Sequence, residues 1–509
     1  MVRGGDRLKG DTLKGDTLRQ ETAMNRRHVL NMAAAIAAGL PLWPVRAFAQ
    51  PAGPAMTALS AYMSSAATRA LPAEADEHAK HHLLDTLASI ISGSELGPGQ
   101  AAQRYIRAHG GQGSATVLGT KLTASPVDAA LANGVMAHAD ETDDSHNASR
   151  THPGAGVVPA ALAAADQLGC DGAHFLRAVA LGYDVGVRVV LAMGGYEFSY
   201  DSSHAAHSIM SVFGGAAAAG SIAKLDARQM RWMLDYAAQQ SSGLVAWRRD
   251  KDHIEKAFVF AGMGARDGVT AALLVHSGWN GVDDIFTGDD NFFQAYAPKA
   301  QREKLIEKLG ERYEIALTDI KKWTVGSPIQ APLDGVDLIL RKHPFEAAQV
   351  RRVDVHLAPA SAAVVDNRDM PDICLQHMVA VMLLDKTASF HAAHDKPRMQ
   401  DPATLRERAK VTLVHDLDQA LRLVAPQNRD HEVARLVDDF LPRHRIADGA
   451  AHGRDALRQL RSVDKLDIDD GDAQGEKFGQ LRIMYKRDFG TFALRRGVLH
   501  ARLVVRGME

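Results

Sequence analysis

Between residues 56 and 325 apolar and small residues recur at helical spacing, and this pattern most constrains the fold. His82–Gly93 sets Leu83, Leu84, Leu87, Ile90 and Ile91 at that spacing, with Gly93 able to close the run. Ser125-Pro126 reads as a cap followed by proline at the first helical position. It opens a helix through Ala130, Leu131, Gly134, Val135 and His138. Phe175–Val190 is a further periodic run, and Phe213–Lys224 is rich in glycine and alanine, which lets helices approach closely. After Lys322 the pattern changes. Pro328, Pro332 and Pro344 punctuate the chain, and Val350–Leu357 alternates as a strand. Asp372–Leu384 reads as an apolar helix, and Lys410–Val414 and Leu499–Val505 as short strands. The expected fold is therefore mainly α, with a large helical part and a smaller α+β part.

The N-terminus reads differently. Leu-Lys-Gly-Asp-Thr repeats at 8–12 and 13–17 in a polar stretch, so Met24 is the expected start of translation. Arg26-Arg27 precede an apolar run from Val29 to Trp43, and Ala47-Phe48-Ala49 has the form of a cleavage site. Together they read as a secretory signal of twin-arginine type, with the mature chain starting near Gln50 in the periplasm or outside the cell. No later segment is expected to span a bilayer. The expected divisions are a leader at 1–49, a helical domain at 50–325, an α+β lid at 326–435 and a divergent tail at 436–509.

Charge and cysteine content narrow the function. Lys and Arg number 59 against 61 Asp and Glu, which provides no global field for nucleic acid or an anionic membrane. An anionic substrate must be held by local charge. Cys170 and Cys374 are too few for a disulfide framework.

The densest chemistry is His138-Ala-Asp140-Glu141-Thr-Asp143-Asp144-Ser145-His146, followed by Thr151-His152-Pro153. Four carboxylates and three histidines within 15 residues can shift one another's pKa values, which is how a site obtains a base near neutral pH. Such a cluster can also bind a cation, but no HExxH or EF-hand spacing is present. The plainer alternative is a helix end with solvated loop charge. His204 and His207 precede the small-residue helix, whose N-terminus would favour a carboxylate. Lys256 lies beside an apolar, glycine-containing segment, and Lys322 at the proposed domain junction, where clefts form. No GxSxG or P-loop is present, and the glycines after Phe213 do not make GxGxxG.

In this order these pieces resemble the MmgE/PrpD family over roughly residues 58–420. The motifs are Leu84-Asp85-Thr86-Leu87-Ala88, Ala132-Asn133-Gly134 through Asp140, Asp143-Asp144-Ser145 and Thr151-His152-Pro153-Gly154. Further on come Glu255-Lys256-Ala257-Phe258, Lys322-Trp323 and the segment Asp369 to Ala380. The resemblance implies an active site between a helical domain and a lid, usually in a homodimer. It implies chemistry on small di- or tricarboxylates, generally without a metal or organic cofactor. It carries catalytic roles to Asp140, His152, either His204 or His207, Lys256 and Lys322, and substrate contacts to Ser145, Glu141 and His377.

Three departures stand out. The first motif is one residue longer than usual, so Glu141 could replace Asp140. Ser327 stands where the decarboxylase pattern has histidine, which favours dehydration over decarboxylation. The tail lacks the usual family ending. Removing a proton α to a carboxylate needs a base and fixed positive charge, and Asp140 or a histidine with the two lysines meets that need. Epimerisation needs nearly the same residues. An exported protein that binds a carboxylate without turnover is the remaining alternative.

Overall fold

The computed structural model describes residues 51–195, 198, 202–416 and the strand Arg502–Arg506. The leader, and the tail expectation apart from that strand, lie outside these residues. The described chain is mostly helical. Its helices are α1 Pro54–Ser65, α2 Ala73–Gly93, α3 Gly97–His109, α4 Pro126–Ala137, α5 Pro153–Leu168 and α6 Gly172–Ala192. They continue with α7 Ala206–Ile222, α8 Ala227–Gln240, α9 Ile254–His276, α10 Ser327–Lys342, α11 Leu375–Asp385 and α12 Pro402–Arg408.

Helix α7 is buried along nearly its whole length and packs on α5, α6, α8 and α9. Its composition makes this possible. A Cβ on Gly264 of α9 would lie 2.3 Å from the Ser211 Cβ, and one on Gly214 would lie 2.8 Å from the Gly182 carbonyl. Glycine at such crossings lets backbones meet where a methyl group would force them apart. Helix α4 starts as its sequence predicts, with the Ser125 hydroxyl accepting from the Asp128 N–H at 3.1 Å and proline at the first position.

Two readings need correction. Leu84 and Ile91 of α2 are exposed, and the buried stripe carries Ala79, His82, Thr86, Ser89 and Ile90 instead. The polar members of that stripe serve the interior network described below, so the leucine spacing does not mark the core face. Second, α9 is long and apolar enough to cross a membrane, with a mean hydropathy of 1.4, although the sequence reading found no such segment. It is a core helix here, with 72% of its apolar window buried.

A second, separate apolar cluster gathers Trp323, Val325, Ile329, Leu333, Val353, Val355 and Met378. It lies against a three-stranded sheet of β5 Arg352–Leu357, β6 Val411–His415 and β7 Arg502–Arg506. The order is β6-β5-β7, with β6 parallel and β7 antiparallel to β5. The register pairs Val353 with Val411 and Val505. Val353, Val355 and Leu357 are buried, as their alternation predicts. Of the four short strands earlier in the chain (β1 Ala115–Thr116, β2 Thr123–Ala124, β3 Ser145–His146, β4 Thr318–Asp319), the last two matter most.

Candidate active site

Helix α4 ends at Ala137, and the acidic run follows at once as a buried loop. His138, Asp140, Glu141, Asp143 and Asp144 are each no more than 2% exposed. So much unsolvated charge demands partners. They come from three other places in the chain.

The first is the segment after β4. Strand β3 pairs antiparallel with β4, Ser145 opposite Asp319 and His146 opposite Thr318. This lays residues 318–323 along the loop. Lys321 points inward, donating to the Glu141 carbonyl at 2.8 Å and to Asp143 Oδ1 at 3.1 Å. Lys322 points outward, is 45% exposed, and pairs with Asp334 and Asp337 at 2.9 Å each. Of the two adjacent lysines, Lys321 enters the loop, whereas Lys322, the one expected there, faces solvent. Alternation along an extended segment sends neighbours to opposite sides, and the spacing of a two-lysine run cannot say which side is which.

The second is the start of α9. Lys256 is buried and forms an ion pair with Glu141. Its ammonium lies 4.6 Å from the Phe260 ring centre and 5.9 Å from that of Trp247. Burial pushes the Lys256 pKa well below the lysine range; Asp372 opposes this, and Lys321 and Arg368 add to it. His253, just before the helix, has its Nε2 3.2 Å from Glu141 Oε1 and its Nδ1 3.1 Å from Asp372. A π-helical turn, Phe258–Gly262, interrupts α9 and carries Phe260. Such turns often mark functional sites. Glu141 and His253 both hold left-handed backbone, φ 58° and 63°. That conformation is costly for a side chain of this size and persists where the surroundings impose it.

The third is the ring stack at the start of α5 and α7. His152 donates through Nδ1 to the Asp144 carbonyl, 2.5 Å away; a carbonyl only accepts, so Nδ1 carries the hydrogen and Nε2 the lone pair. The His152 and His207 rings stack at 5.5 Å, and His207 lies on Phe260 at 3.7 Å. Burial lowers the pKa of both, with Asp143 working against it. His204 is elsewhere, against Phe198 and Tyr296, so of the two histidines left open His207 is the one packed beside His152.

Asp140 and Glu141 likewise separate. The Asp140 carboxylate is engaged by the Ser92 hydroxyl and accepts from the Thr142 N–H at 3.0 Å, which makes it a turn-forming group. Glu141 meets the lysine and the histidines. Ser145 accepts a hydrogen bond from Ser327 at 3.3 Å, so the position lacking the decarboxylase histidine does border the loop. His377 is fully buried in α11, with no hydrogen-bond partner for either ring nitrogen among the described residues. Burial, then Arg408, lowers its pKa to about 4.

His138 and Asp143 lie in the cluster that the sequence marks, but neither they nor His253, Lys321 and Asp372 receive a role from it. His138 Nδ1 lies 2.7 Å from Asp143 Oδ2. Burial alone would raise the Asp143 pKa, but His138, Lys321 and His152 hold it far below the carboxylate range. Behind the loop, Asp144 is held by His82 at 2.9 Å, by the Tyr183 hydroxyl and by the Gly154 N–H at 3.0 Å. This explains the polar stripe on α2.

The site thus combines two buried lysines, two buried carboxylates and a file of neutral-leaning imidazoles. That set suits proton movement beside a bound anion. Models of two MmgE/PrpD domains match the chain, the N-terminal domain over residues 57–304 and the C-terminal domain over 323–467. The chain belongs to the MmgE/PrpD family. It is similar to a cis-aconitate decarboxylase-like protein, oryM, of Aspergillus oryzae, 26% identical over 57% of this chain and 63% of that one. It is also similar to cis-aconitate decarboxylase of Aspergillus terreus, 24% identical over 63% of this chain and 69% of the relative. The chain therefore spans somewhat under two thirds of the first relative's length.

Proposed function

We propose that the protein is a lyase that removes a proton α to a carboxylate and eliminates water from a small hydroxy di- or tricarboxylate, without an organic cofactor. One observation carries the reading: Lys256, Lys321, His152 and His207, far apart in sequence, gather around the buried Glu141–Asp143 loop. In this reading His152 Nε2 takes the α proton, because its other nitrogen is committed to the Asp144 carbonyl. Charge then flows onto the substrate carboxylate, beside Lys256 and Lys321. The C–O bond breaks, and the His152 imidazolium, with His207 stacked beside it, returns that proton to the departing hydroxide. The products are an unsaturated acid and water.

A second reading, decarboxylation of a related carboxylate, is favoured by the named activity of the Aspergillus relatives and opposed by Ser327. The signal-like pattern of residues 24–49 and the family resemblance are the support for reading it as a periplasmic or secreted homodimer. The full chain, incubated in D₂O with a panel of hydroxy di- and tricarboxylates and with cis-aconitate, is followed by proton NMR. A vinylic signal with loss of the hydroxy acid establishes the dehydratase. Consumption of cis-aconitate with release of CO₂ establishes the decarboxylase. Deuterium at Cα without elimination establishes an epimerase. A folded chain inert to the whole panel defeats all three and leaves a carboxylate-binding protein.

A further inference from the structure

Helix α2 has two faces with different tasks. Its inward face serves the site: His82 holds Asp144 at 2.9 Å, and the Ser92 hydroxyl engages Asp140. Its outward face carries Glu77, His81, Leu84, Ala88 and Ile91, all exposed. Exposed Glu95 extends the row, because Ser94 keeps helical backbone with φ −62° and ψ −23°. Steps of three and four residues alternate along this row, which is the seam of one helix laid along another. Leu84 is 65% and Ile91 56% exposed, and among the described residues no other helix leaves two large apolar side chains in solvent. Leu317, also exposed, belongs to the turn Glu314–Leu317 packed beside α2 and adds apolar surface there. Such a contiguous apolar stripe marks a surface that a partner covers.

The order of residues along the stripe says what the partner is. Its middle is apolar and its ends are polar, with His81 and Glu95 equally far from Ala88 in sequence. Glu95 has no ion-pair partner among the described residues. A second copy laid antiparallel across Ala88 brings Lys80 and His81 to the partner subunit's Glu95, and the same contact recurs on the other side of the two-fold axis. A parallel copy would set Glu95 against its own counterpart, which like charge disfavours. Lys80 and His81 already meet Asp76 and Glu77 of their own helix at 2.8 and 3.3 Å, but those pairs are exposed and exchange at little cost. Ala88, the smallest side chain at the centre of the row, lets the two helices approach at the crossing.

We propose that the stripe Leu84–Ala88–Ile91 is the face on which a second copy of this chain docks, the two α2 helices crossing antiparallel at Ala88. This rests on the homodimer of the preceding section and adds its face. It also gives the outward leucine spacing of α2 a use that core packing does not. Docking braces the helix that carries His82 and Ser92 to the acidic loop.

The test is the oligomeric state of the full chain, followed by sedimentation velocity across micromolar concentrations. A dimer is expected. Leu84→Glu with Ile91→Glu, two positions already in solvent, weakens it by about 100-fold or more with circular dichroism unchanged. Glu95→Lys weakens it by about tenfold, and adding His81→Glu restores it, a gain that misfolding cannot imitate. Ala88→Cys forms a disulfide-linked dimer on mild oxidation, because facing Cα atoms at such a crossing come within ~4.4–6.8 Å. Lys121→Cys, exposed between β1 and β2, is the control and does not. A wild type that stays monomeric throughout overturns the homodimer and this face together. A dimer that keeps its affinity in the double glutamate variant, and does not cross-link through Ala88→Cys, overturns this face alone; the stripe is then covered from within its own chain.

Discussion

Two buried ionic networks lie in this fold, and they are built on opposite plans. One joins Tyr62, Asp184, Arg188, Arg312, Glu314 and His146. All four carboxylate oxygens there have a partner. Asp184 accepts from the Tyr62 hydroxyl and from the Glu314 N–H at 2.7 Å; Glu314 meets Arg312 at 2.8 Å and His146 at 3.3 Å. Arg188 gives both terminal nitrogens to backbone carbonyls, of Glu307 at 2.7 Å and Arg312 at 2.9 Å. The other network is the loop after α4, where Glu141 carries the Lys256 ammonium while His138 Nε2 and His253 Nε2 have no hydrogen-bond partner among the described residues. The first ties α6 to the segment before β4. The second leaves two buried imidazole nitrogens unspent, at a cost that a bound ligand or a reaction would offset. Burial alone does not separate structure from function. The kind of atom left unpaired does: guanidinium nitrogens such as Arg188 Nε in the first network, acid–base imidazole nitrogens in the second.

The largest expected effects fall on the second network. Lys256→Ala and Lys321→Ala each lower kcat/KM by about 10²–10³-fold on the substrate found by NMR, since each removes fixed charge from a water-poor site. Lys322→Ala stays within about twofold, because that side chain faces solvent. Equal losses from Lys321→Ala and Lys322→Ala would break the assignment of the inward lysine.

Next comes the first network. Arg188→Ala strips the Glu307 and Arg312 carbonyls of their buried donors and removes the positive charge beside Glu314 and Asp184, and costs about 3–5 kcal/mol in urea unfolding, with little change in KM of whatever protein remains folded. A marked KM effect at full folding would erase the distinction between the networks.

Asp85 lies on the border of the two plans. Its Oδ2 is buried without a hydrogen-bond partner among the described residues, and burial, then Asp144 and Asp143, raise its pKa to about 7. In the unfolded chain an aspartate titrates near ~3.9. The folded chain holds this proton more tightly, so stability is lost as pH rises from about 4 to about 7, and the loss is complete above that. Asp85→Asn therefore gains on the wild type across that window and matches it below pH ~4. Melting curves at pH 4, 6 and 8 decide the matter; a constant difference at all three rules out titration as the cause.

The smallest effect is on stability at the surface. Lys322→Ala costs less than about 1 kcal/mol, despite two carboxylate partners at 2.9 Å, because exposed pairs gain little over hydrated ions. Thermal unfolding measures it.

Much of this was legible in the residues. The Ser125-Pro126 cap, the β5 alternation and the small-residue helix α7 all follow from local rules that hold wherever the chain goes. The acidic loop announced itself by density, and Lys256 by its apolar setting. Other features had no local signal. Leu84 and Ile91 follow a clean helical stripe yet face out, because the opposite face of α2 must carry His82 to Asp144. Asp140 and Glu141 are adjacent acids of near-equal chemistry. Only the left-handed backbone at Glu141 turns one toward Lys256 and leaves the other to Ser92.

By itself the sequence determined the helical scaffold, the family and the neighbourhood of the chemistry, because periodicity, capping and charge density are properties of contiguous residues. The tertiary structure decided which lysine, which acid and which histidine. Lys321 depends on the β3–β4 pairing across more than 170 residues, His207 on its packing against Phe260, and Asp372 on contact with His253. Those choices rest on which side of a backbone a single side chain leaves. A one-residue shift reverses that side while leaving composition and spacing almost unchanged.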